Sequence, residues 1–307
     1  MFQEIVGVNL MELSTDLVGT LLKPYQTRIT SRQTTNYAAA IQDNNSVYFD
    51  DRKKVGIVVG HPMFPVSVTW PVLSRLDQFI EAKEFPMDVL LTQVHYSEHL
   101  ILHRLIRPDD ELTLTGSLKA FLPHRAGTHA IIALEALDDK GSPVFTEYIG
   151  AMLRGVDCSS GKQAGELPVI PENKSEDGLV WQSDIFIDPI QPYVYDGCTN
   201  IEFPIHTSPN FAQAVGLPGI ILQGTATLAY AVREMVNQEA NTDPSNIEEI
   251  ACNFTGMVKP GTQIQVCCTE KKAHHDHMDL FFQVKNHENQ KAIRNGYIKI
   301  KRGNNGE

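Results

Sequence analysis

The stretch that decides the fold runs from Tyr193 to Val236 and reads YVYDGCTNIEFPIHTSPNFAQAVGLPGIILQGTATLAYAVREMV. An irregular polar segment leads to the tripeptide PIH at 204–206, and a glycine-proline turn, GLPG, follows at 216–219. From Gly224 onward the residues are mostly small or apolar and include no proline, which predicts a largely buried helix. A glycine at the start of that helix leaves backbone N–H groups free to face an electronegative atom.

The bulk composition is that of a soluble globular protein. A chain of 307 residues is long enough for two domains and a sizeable core. Its hydrophobic share is 42% and its charged share 21%. The net charge of -11 argues against nucleic-acid binding and against docking on anionic membranes. It leaves room for coenzyme A, whose phosphates need only a few local basic groups.

Cysteine usage and the N-terminus predict a reduced, cytoplasmic protein. The five cysteines form no CxxC motif and no paired spacing. The first residues, MFQEIVGVNLMELSTD, lack the basic start and small-residue cleavage site of a signal peptide. No apolar run reaches membrane-spanning length.

The order of predicted elements repeats after about 150 residues. In the first half a helix is predicted over Thr30–Gln42. It is followed by an apolar segment, Val55–Trp70, that is interrupted by a glycine and two prolines, and then by hairpin-connected strands from Val89. Residues 158–180 are rich in Gly, Pro, Ser and charge and mark a boundary. The same order then recurs, which predicts an antiparallel sheet wrapped on a helix in each half.

The motifs PIH, SPNFA and GLPGIILQG, followed by an apolar helix, resemble the MaoC-like hydratases, the (R)-specific enoyl-CoA hydratase family with a hot-dog fold. The resemblance implies the α+β class and a double hot-dog, two such folds fused in one chain. Residues 1–157 would form a degenerate N-terminal hot-dog domain that shapes the acyl pocket. Residues 158–180 would be a linker, and residues 181–307 would form the C-terminal hot-dog domain that carries the hydratase-like motif.

The resemblance also implies roles for individual residues. His206 takes the place of the family's proton-relaying histidine. Gly224, together with Thr225, takes the place where backbone N–H groups polarise the thioester carbonyl.

The chain departs from the family at three positions. Ile201 stands at the position of the catalytic aspartate, Phe203 at that of an asparagine, and Gln223 at that of a histidine. Glu202 is the nearest substitute carboxylate, and Asp196 is a more distant one.

Asp43 and Asn45 look like the degenerate copy of the same motif in the first half. In the family the catalytic residues of one site come from the same half, so no site shared between Asp43 and His206 is expected. The sequence HHDH at 274–277 with Asp279 suggests a metal site. Its place on a predicted hairpin turn favours a solvated loop, and no metal is expected.

The predicted activity is that of an acyl-CoA hydratase or dehydratase acting on 2-enoyl or 3-hydroxyacyl thioesters. A thioester-binding protein without catalysis is an alternative, because Ile201 replaces the aspartate. A thioesterase on the same fold is another, although the predicted helix offers no carboxylate before Glu234. The expected partner is an acyl-CoA or acyl-carrier thioester, with no cofactor beyond coenzyme A as part of the substrate. A homodimer is the oligomer that the resemblance suggests.

Overall fold

The computed structural model describes residues 11–52, 58–82, 85–158, 160–174 and 178–302. The strands are β1 (Met11–Glu12), β2 (Leu21–Arg28), β3 (Gln93–Leu102), β4 (Glu111–His124), β5 (Gly127–Leu137), β6 (Pro143–Arg154), β7 (Val156–Asp157), β8 (Lys162–Gln163), β9 (Trp181–Phe186), β10 (Ile247–Phe254), β11 (Gln263–Ala273), β12 (His277–Lys285) and β13 (Lys291–Lys301). The α-helices are α1 (Ser31–Ala40), α2 (Pro65–Leu73), α3 (Leu76–Phe79), α4 (Gln191–Thr199), α5 (Pro209–Ala214) and α6 (Gly224–Glu239).

One large antiparallel sheet runs through both halves of the chain. Its order is β2-β4-β5-β6-β3 in the first half and β10-β13-β12-β11-β9 in the second, and the halves join where β3 pairs with β10. The second half therefore repeats the strand order of the first, read outward from the joint. This arrangement confirms the predicted α+β double hot-dog.

The predicted first helix is confirmed as α1, and its start follows from the sequence. The Thr30 hydroxyl accepts a hydrogen bond from the backbone N–H of Gln33, and the Gln33 side-chain oxygen accepts one from the Thr30 N–H, which forms a capping box. Helix α1 packs on α4, its counterpart in the second half. At that contact the buried hydroxyls of Tyr37 and Tyr195 lie 3.0 Å apart.

The long helix predicted from Gly224 is confirmed as α6, whose 16 residues include ten buried ones. Its counterpart α2 has only nine residues and carries Pro71 inside. Helix α2 begins at Pro65, one of the two prolines that interrupt the apolar segment, so this break coincides with a helix start. Proline is tolerated at the first helical position, where its missing N–H would have no partner in any case. Residues 55–57 of that segment lie outside the described ranges.

The described residues between 158 and 180 contact both halves of the sheet. Strand β8 pairs with β4. Further on, Ile170 packs against Ala251, Phe281 and Tyr297. The division into 1–157, 158–180 and 181–307 stays a prediction, since Ser159 and residues 175–177 of the linker lie outside the described ranges.

All five cysteines are free thiols. Among the residues that the structure describes, no helix combines the length and the apolar character that crossing a bilayer requires.

Candidate active site

His206 ends a short 3-10 turn, Pro204–His206, and its ring is anchored by one backbone carbonyl. The distance from its Nδ1 to the Ile221 carbonyl oxygen is 2.8 Å. A carbonyl can only accept, so Nδ1 carries the hydrogen and Nε2 keeps its lone pair. Burial lowers the His206 pKa to about 4, partly offset by this hydrogen bond. His206 is therefore a neutral imidazole with Nε2 available as a base.

The start of α6 presents donors without partners. Gln223 precedes the helix in an extended conformation, and no side chain caps the helix start. The first turn closes with the hydrogen bond from Thr227 N–H to the Gln223 carbonyl. Within the described part of the chain the N–H groups of Gly224 and Thr225 are left open, at the positive end of the helix dipole. Ile221, which anchors His206, is only three residues before Gly224.

Gly224 lets the Phe254 ring approach the helix start closely. A Cβ atom at this position would lie 3.1 Å from Cδ1 of Phe254, tighter than nine in ten real contacts of this kind. The Phe254 ring also contacts the His95 ring, with centroids 4.6 Å apart. Next to Gly224, the Thr225 hydroxyl accepts a hydrogen bond from Tyr195, at 3.1 Å.

The carboxylate candidates differ in their surroundings. Ile201 is buried in the main core, so the side chain at the family's aspartate position is used for packing. Glu202 is exposed. Asp196 is half-buried, and burial together with the nearby Glu202 charge raises its pKa, while the Phe203 N–H opposes the rise. Asp196 thus contacts the segment that carries His206, and Glu202 faces solvent.

Gln223 fixes the loop before α6. It is 1% exposed, and its Nε2 donates to the Pro192 carbonyl at 3.0 Å, which ties the loop to α4.

Asp43 and Asn45 lie away from the start of α6. The Asn45 side chain donates to the Thr242 carbonyl, beyond the C-terminal end of α6, at 2.7 Å. Asp43 is buried, and its pKa is raised by burial and lowered in part by the Asn45 N–H and by Arg233. Arg233 is nine residues after Gly224, which corresponds to about 14 Å along the helix axis. The structure does not bring Asp43 and Asn45 together with His206.

In the first half Asp43 has a histidine neighbour, His61, that the sequence did not predict. His61 Nε2 lies 3.8 Å from Asp43 Oδ2, and both side chains are fully buried together with Tyr48. The helix that follows begins with Pro65, which has no N–H to offer a substrate oxygen. In the sequence, His61 is a lone histidine in an apolar stretch, and only the folded structure brings it close to Asp43.

Two buried carboxyl groups were also missed. Glu98 on β3 and Glu147 on β6 are 1% and 0% exposed. Burial raises the Glu98 pKa to about 8, and burial plus the Glu98 charge raises the Glu147 pKa well above its usual value. Both glutamates stand in predicted strands, where no local pattern distinguishes a buried glutamate from an exposed one.

One group in the described residues could hold a metal ion. His274, His277 and Asp279 offer ligand atoms that all lie within 4.8 Å of one another.

Two protein families match the chain. Residues 180–294 match the MaoC like domain, and residues 16–147 match the FAS1-like dehydratase domain region. The crystal structure of a MaoC-like dehydratase from Phytophthora capsici superposes with a TM-score of 0.80 at 19% identity, covering 94% of this chain and 98% of that one.

Among curated proteins, the peroxisomal multifunctional enzyme type 2 of Drosophila melanogaster is 26% identical over 184 residues, 57% of this chain and 30% of that protein. A probable enoyl-CoA hydratase 2 of Dictyostelium discoideum is 26% identical over 144 residues, 45% of this chain and 48% of that protein. The matched stretch spans less than half the length of either relative.

Proposed function

The chain belongs to the MaoC-like dehydratase family in its double hot-dog form, and from this membership we propose that it adds water to 2-enoyl thioesters or removes it from 3-hydroxyacyl thioesters. The observation that carries the proposal is the neutral His206, anchored by Ile221 just before the open N–H groups of Gly224 and Thr225. A base and an oxyanion site held by one short loop are what hydration of an enoyl thioester needs.

In the hydration direction the thioester oxygen accepts hydrogen bonds from the N–H groups at the start of α6. His206 Nε2 takes a proton from water as the water oxygen bonds to C3 and the C2–C3 π electrons move toward the carbonyl. The resulting enolate oxygen is stabilised by the same N–H groups. The imidazolium then returns the proton to C2, so the net change is the addition of one water molecule. Dehydration follows the reverse path.

Asp196 is the carboxylate that we favour as a partner of His206 in positioning the water. Its support is the half-buried position and the contact with the Phe203 N–H. Glu202, the candidate favoured by sequence proximity, is exposed and becomes the second choice.

The test is an absorbance assay of the conjugated double bond on short, branched and dicarboxylic enoyl-CoA thioesters. Wild type is compared with His206→Ala, Asp196→Asn, Glu202→Gln and the control His103→Ala, an exposed histidine outside the site. We expect His206→Ala to lower kcat by about 10²–10⁴-fold. Unchanged turnover in this variant would refute the proposed role of His206.

The two other functions give different outcomes in the same assay. Tight thioester binding without turnover on any substrate would identify a non-catalytic binding protein, for which the buried Ile201 is the supporting observation. Release of free thiol would indicate a thioesterase. Against that reading, Glu234, the first carboxylate of α6, is paired with Arg233 and Ser183.

We further propose a coenzyme A or carrier-protein thioester as the only partner required for activity, with no separate cofactor. A cytoplasmic location and a homodimer complete the proposal, although the Drosophila relative is named as peroxisomal. Cell fractionation and light scattering on the purified chain test these two statements.

A further inference from the structure

The turn between β11 and β12 gathers three metal-ligating side chains on one face of the sheet. His274 and His277 flank the turn, which is closed by the hydrogen bond from His274 N–H to the His277 carbonyl at 2.8 Å. Side chains alternate along a strand, so Asp279, two residues after His277, lies on the same face. His274 Nε2 is 3.0 Å from Asp279 Oδ2, and His277 Nε2 is 3.6 Å from Asp279 Oδ1.

Surrounding hydrogen bonds orient two of these side chains. Asp276 Oδ1 lies 2.7 Å from His277 Nδ1, which fixes the hydrogen of the neutral ring on Nδ1 and leaves a lone pair on Nε2. The Tyr297 hydroxyl donates to Asp279 Oδ1 at 2.8 Å. A carboxylate behind a histidine and a hydroxyl behind a carboxylate are the outer contacts that hold metal ligands in place.

The buried Asp279 carboxylate forms no ion pair with a lysine or arginine among the described residues, and the nearby Arg302 guanidinium donates to the His274 carbonyl at 3.0 Å. Asp279 is 4% exposed, and in the described part of the chain only the two histidines are within ion-pair distance of it. The lysines on the flanking strands have other partners, since Lys272 pairs with Glu270 and Lys299 with Glu248. Nε2 of His277 faces Oδ1 of Asp279 at 3.6 Å, a separation that one cation bound to both atoms would bridge.

We propose that His274, His277 and Asp279 form a binding site for a divalent transition metal, zinc in the first instance. Zinc takes histidine nitrogen at about 2.0–2.1 Å and carboxylate oxygen at about 2.0–2.2 Å in a tetrahedral arrangement, which puts neighbouring ligand atoms about 3.4 Å apart. The two separations from Asp279, 3.0 and 3.6 Å, bracket this value. The two imidazole rings are stacked at 4.3 Å and 10°, so one ring must turn to bring both nitrogens to one ion. His274 is the freer of the two, with 44% of its side chain exposed.

The metal site lies at the opposite end of α6 from the candidate active site. Lys271, near the end of β11, pairs with Glu239, the last residue of α6, at 2.7 Å. A helix of 16 residues is about 24 Å long. The ion therefore fastens the β11–β12 hairpin and takes no part in chemistry at Gly224, and the site is independent of the proposed hydratase function.

The test is calorimetric titration of the full-length, chelator-treated chain with zinc chloride, repeated with cobalt(II) to record its visible absorption bands. We expect one high-affinity site per chain and tetrahedral cobalt bands in the wild type. His274→Ala and His277→Ala should each weaken binding at least about tenfold, since each removes one of three ligands.

His275→Ala is the matched control, because this exposed histidine lies in the same turn but is not part of the group. The control should bind zinc as the wild type does. Equal zinc affinity in the wild type and His277→Ala, loss of binding in His275→Ala, or no binding by the wild type would each overturn the proposal. Enoyl thioester turnover, measured with and without chelator, is expected to stay the same.

Discussion

His206 has its Nδ1 engaged by the Ile221 carbonyl, which leaves Nε2 as the ring nitrogen with a lone pair. The same burial that lowers its pKa to about 4 keeps the ring neutral at physiological pH. A buried ring with both nitrogens satisfied would be inert, whereas Nε2 of this ring has no hydrogen-bond partner among the residues that the structure describes. The hydrogen bond to Ile221 and the burial of the ring therefore make His206 a candidate base.

The first prediction concerns the acidic limb of the pH profile. Because the His206 pKa is lowered, the basic form persists as the pH falls, and the loss of kcat/KM due to this residue should occur near pH 4. A histidine with an ordinary pKa would produce that limb at about 6.5. The measurement is kcat/KM against pH in the wild type and in Asp196→Asn, which separates the histidine from the carboxylate. A limb near 6.5 that persists in Asp196→Asn would contradict the prediction.

The second prediction concerns Gly224. Alanine at this position would press its methyl group onto Phe254, so Phe254 or the helix start must move. We expect Gly224→Ala to lower the free energy of unfolding by about 1–3 kcal/mol, as overpacking does. It should also lower kcat more than it raises KM, because the N–H donors act on the enolate oxygen. The readouts are denaturant unfolding and steady-state kinetics.

Gly219→Ala is a matched control, since a Cβ there meets nothing within 4 Å. If both glycine variants behaved alike, the close approach of Phe254 to Gly224 would not be the reason for the effect.

At the scale of elements, strands β3 and β6 carry a pair of buried carboxyl groups against α2. His95 Nε2 lies 3.1 Å from Glu98 Oε2, and Glu98 and Glu147 lie close enough to shift each other's pKa. Thr69 on α2 partly opposes the rise of the Glu147 pKa. Two such groups cannot both be ionised in this environment, so the folded protein retains a proton that the unfolded chain releases.

The third prediction is that the free energy of unfolding depends on pH because of this retained proton. The folded Glu98 pKa of about 8 exceeds the ordinary value of 4.5, so the unfolded chain binds fewer protons between these two values. The contribution of protonated Glu98 to the free energy of unfolding is complete below pH 4.5 and is lost as the pH rises toward about 8. Glu147→Gln keeps the shape and removes a charge. The free energy of unfolding of Glu147→Gln, taken relative to wild type, should increase by up to about 1.4 kcal/mol for each pH unit.

Denaturant unfolding between these pH values measures the effect. Glu135→Gln, a substitution of an exposed carboxylate on β5, provides the baseline. Parallel pH dependence in wild type, Glu147→Gln and Glu135→Gln would show that the buried pair holds no extra proton.

At the scale of the whole molecule, the two halves share one sheet and one core. Strands β3 and β10 pair directly, and the main core includes residues from both halves, such as Tyr37 and Tyr195. Tyr195 donates to Thr225, so Tyr37 must donate to the Tyr195 oxygen. These hydrogen-bonded hydroxyls of Tyr37, Tyr195 and Thr225 connect the first half to the start of α6. We therefore expect the protein to unfold in a single cooperative transition.

The fourth prediction is an energetic coupling between the halves through these hydroxyls. Tyr37→Phe should cost about 1 kcal/mol, the usual worth of one hydrogen bond. Tyr195→Phe should cost more, because it leaves both the Tyr37 hydroxyl and the Thr225 oxygen without this partner. The double variant should show a coupling of about 0.5–3 kcal/mol. Tyr193→Phe, a more exposed tyrosine on the same helix, serves as control. Strict additivity of the two single substitutions would contradict the coupling.

The sequence by itself determined the repeated order of elements and the two pieces of the candidate site in the second half. Thr30 with Gln33 encodes a helix start, and the run from Gly224 encodes a buried helix, because capping and periodicity are local properties. The motif around His206 and Gly224 is equally local, since one short loop connects both.

Only the tertiary structure decided which distant side chains meet and what their surroundings do to them. His61 reaches Asp43, Glu98 reaches Glu147, and His274 and His277 turn to Asp279, through strand register and burial that no local pattern records. Asp196 and Glu202 look alike in sequence, yet one is half-buried and the other exposed. Burial and desolvation depend on the whole chain, and they set which of these groups hold a proton.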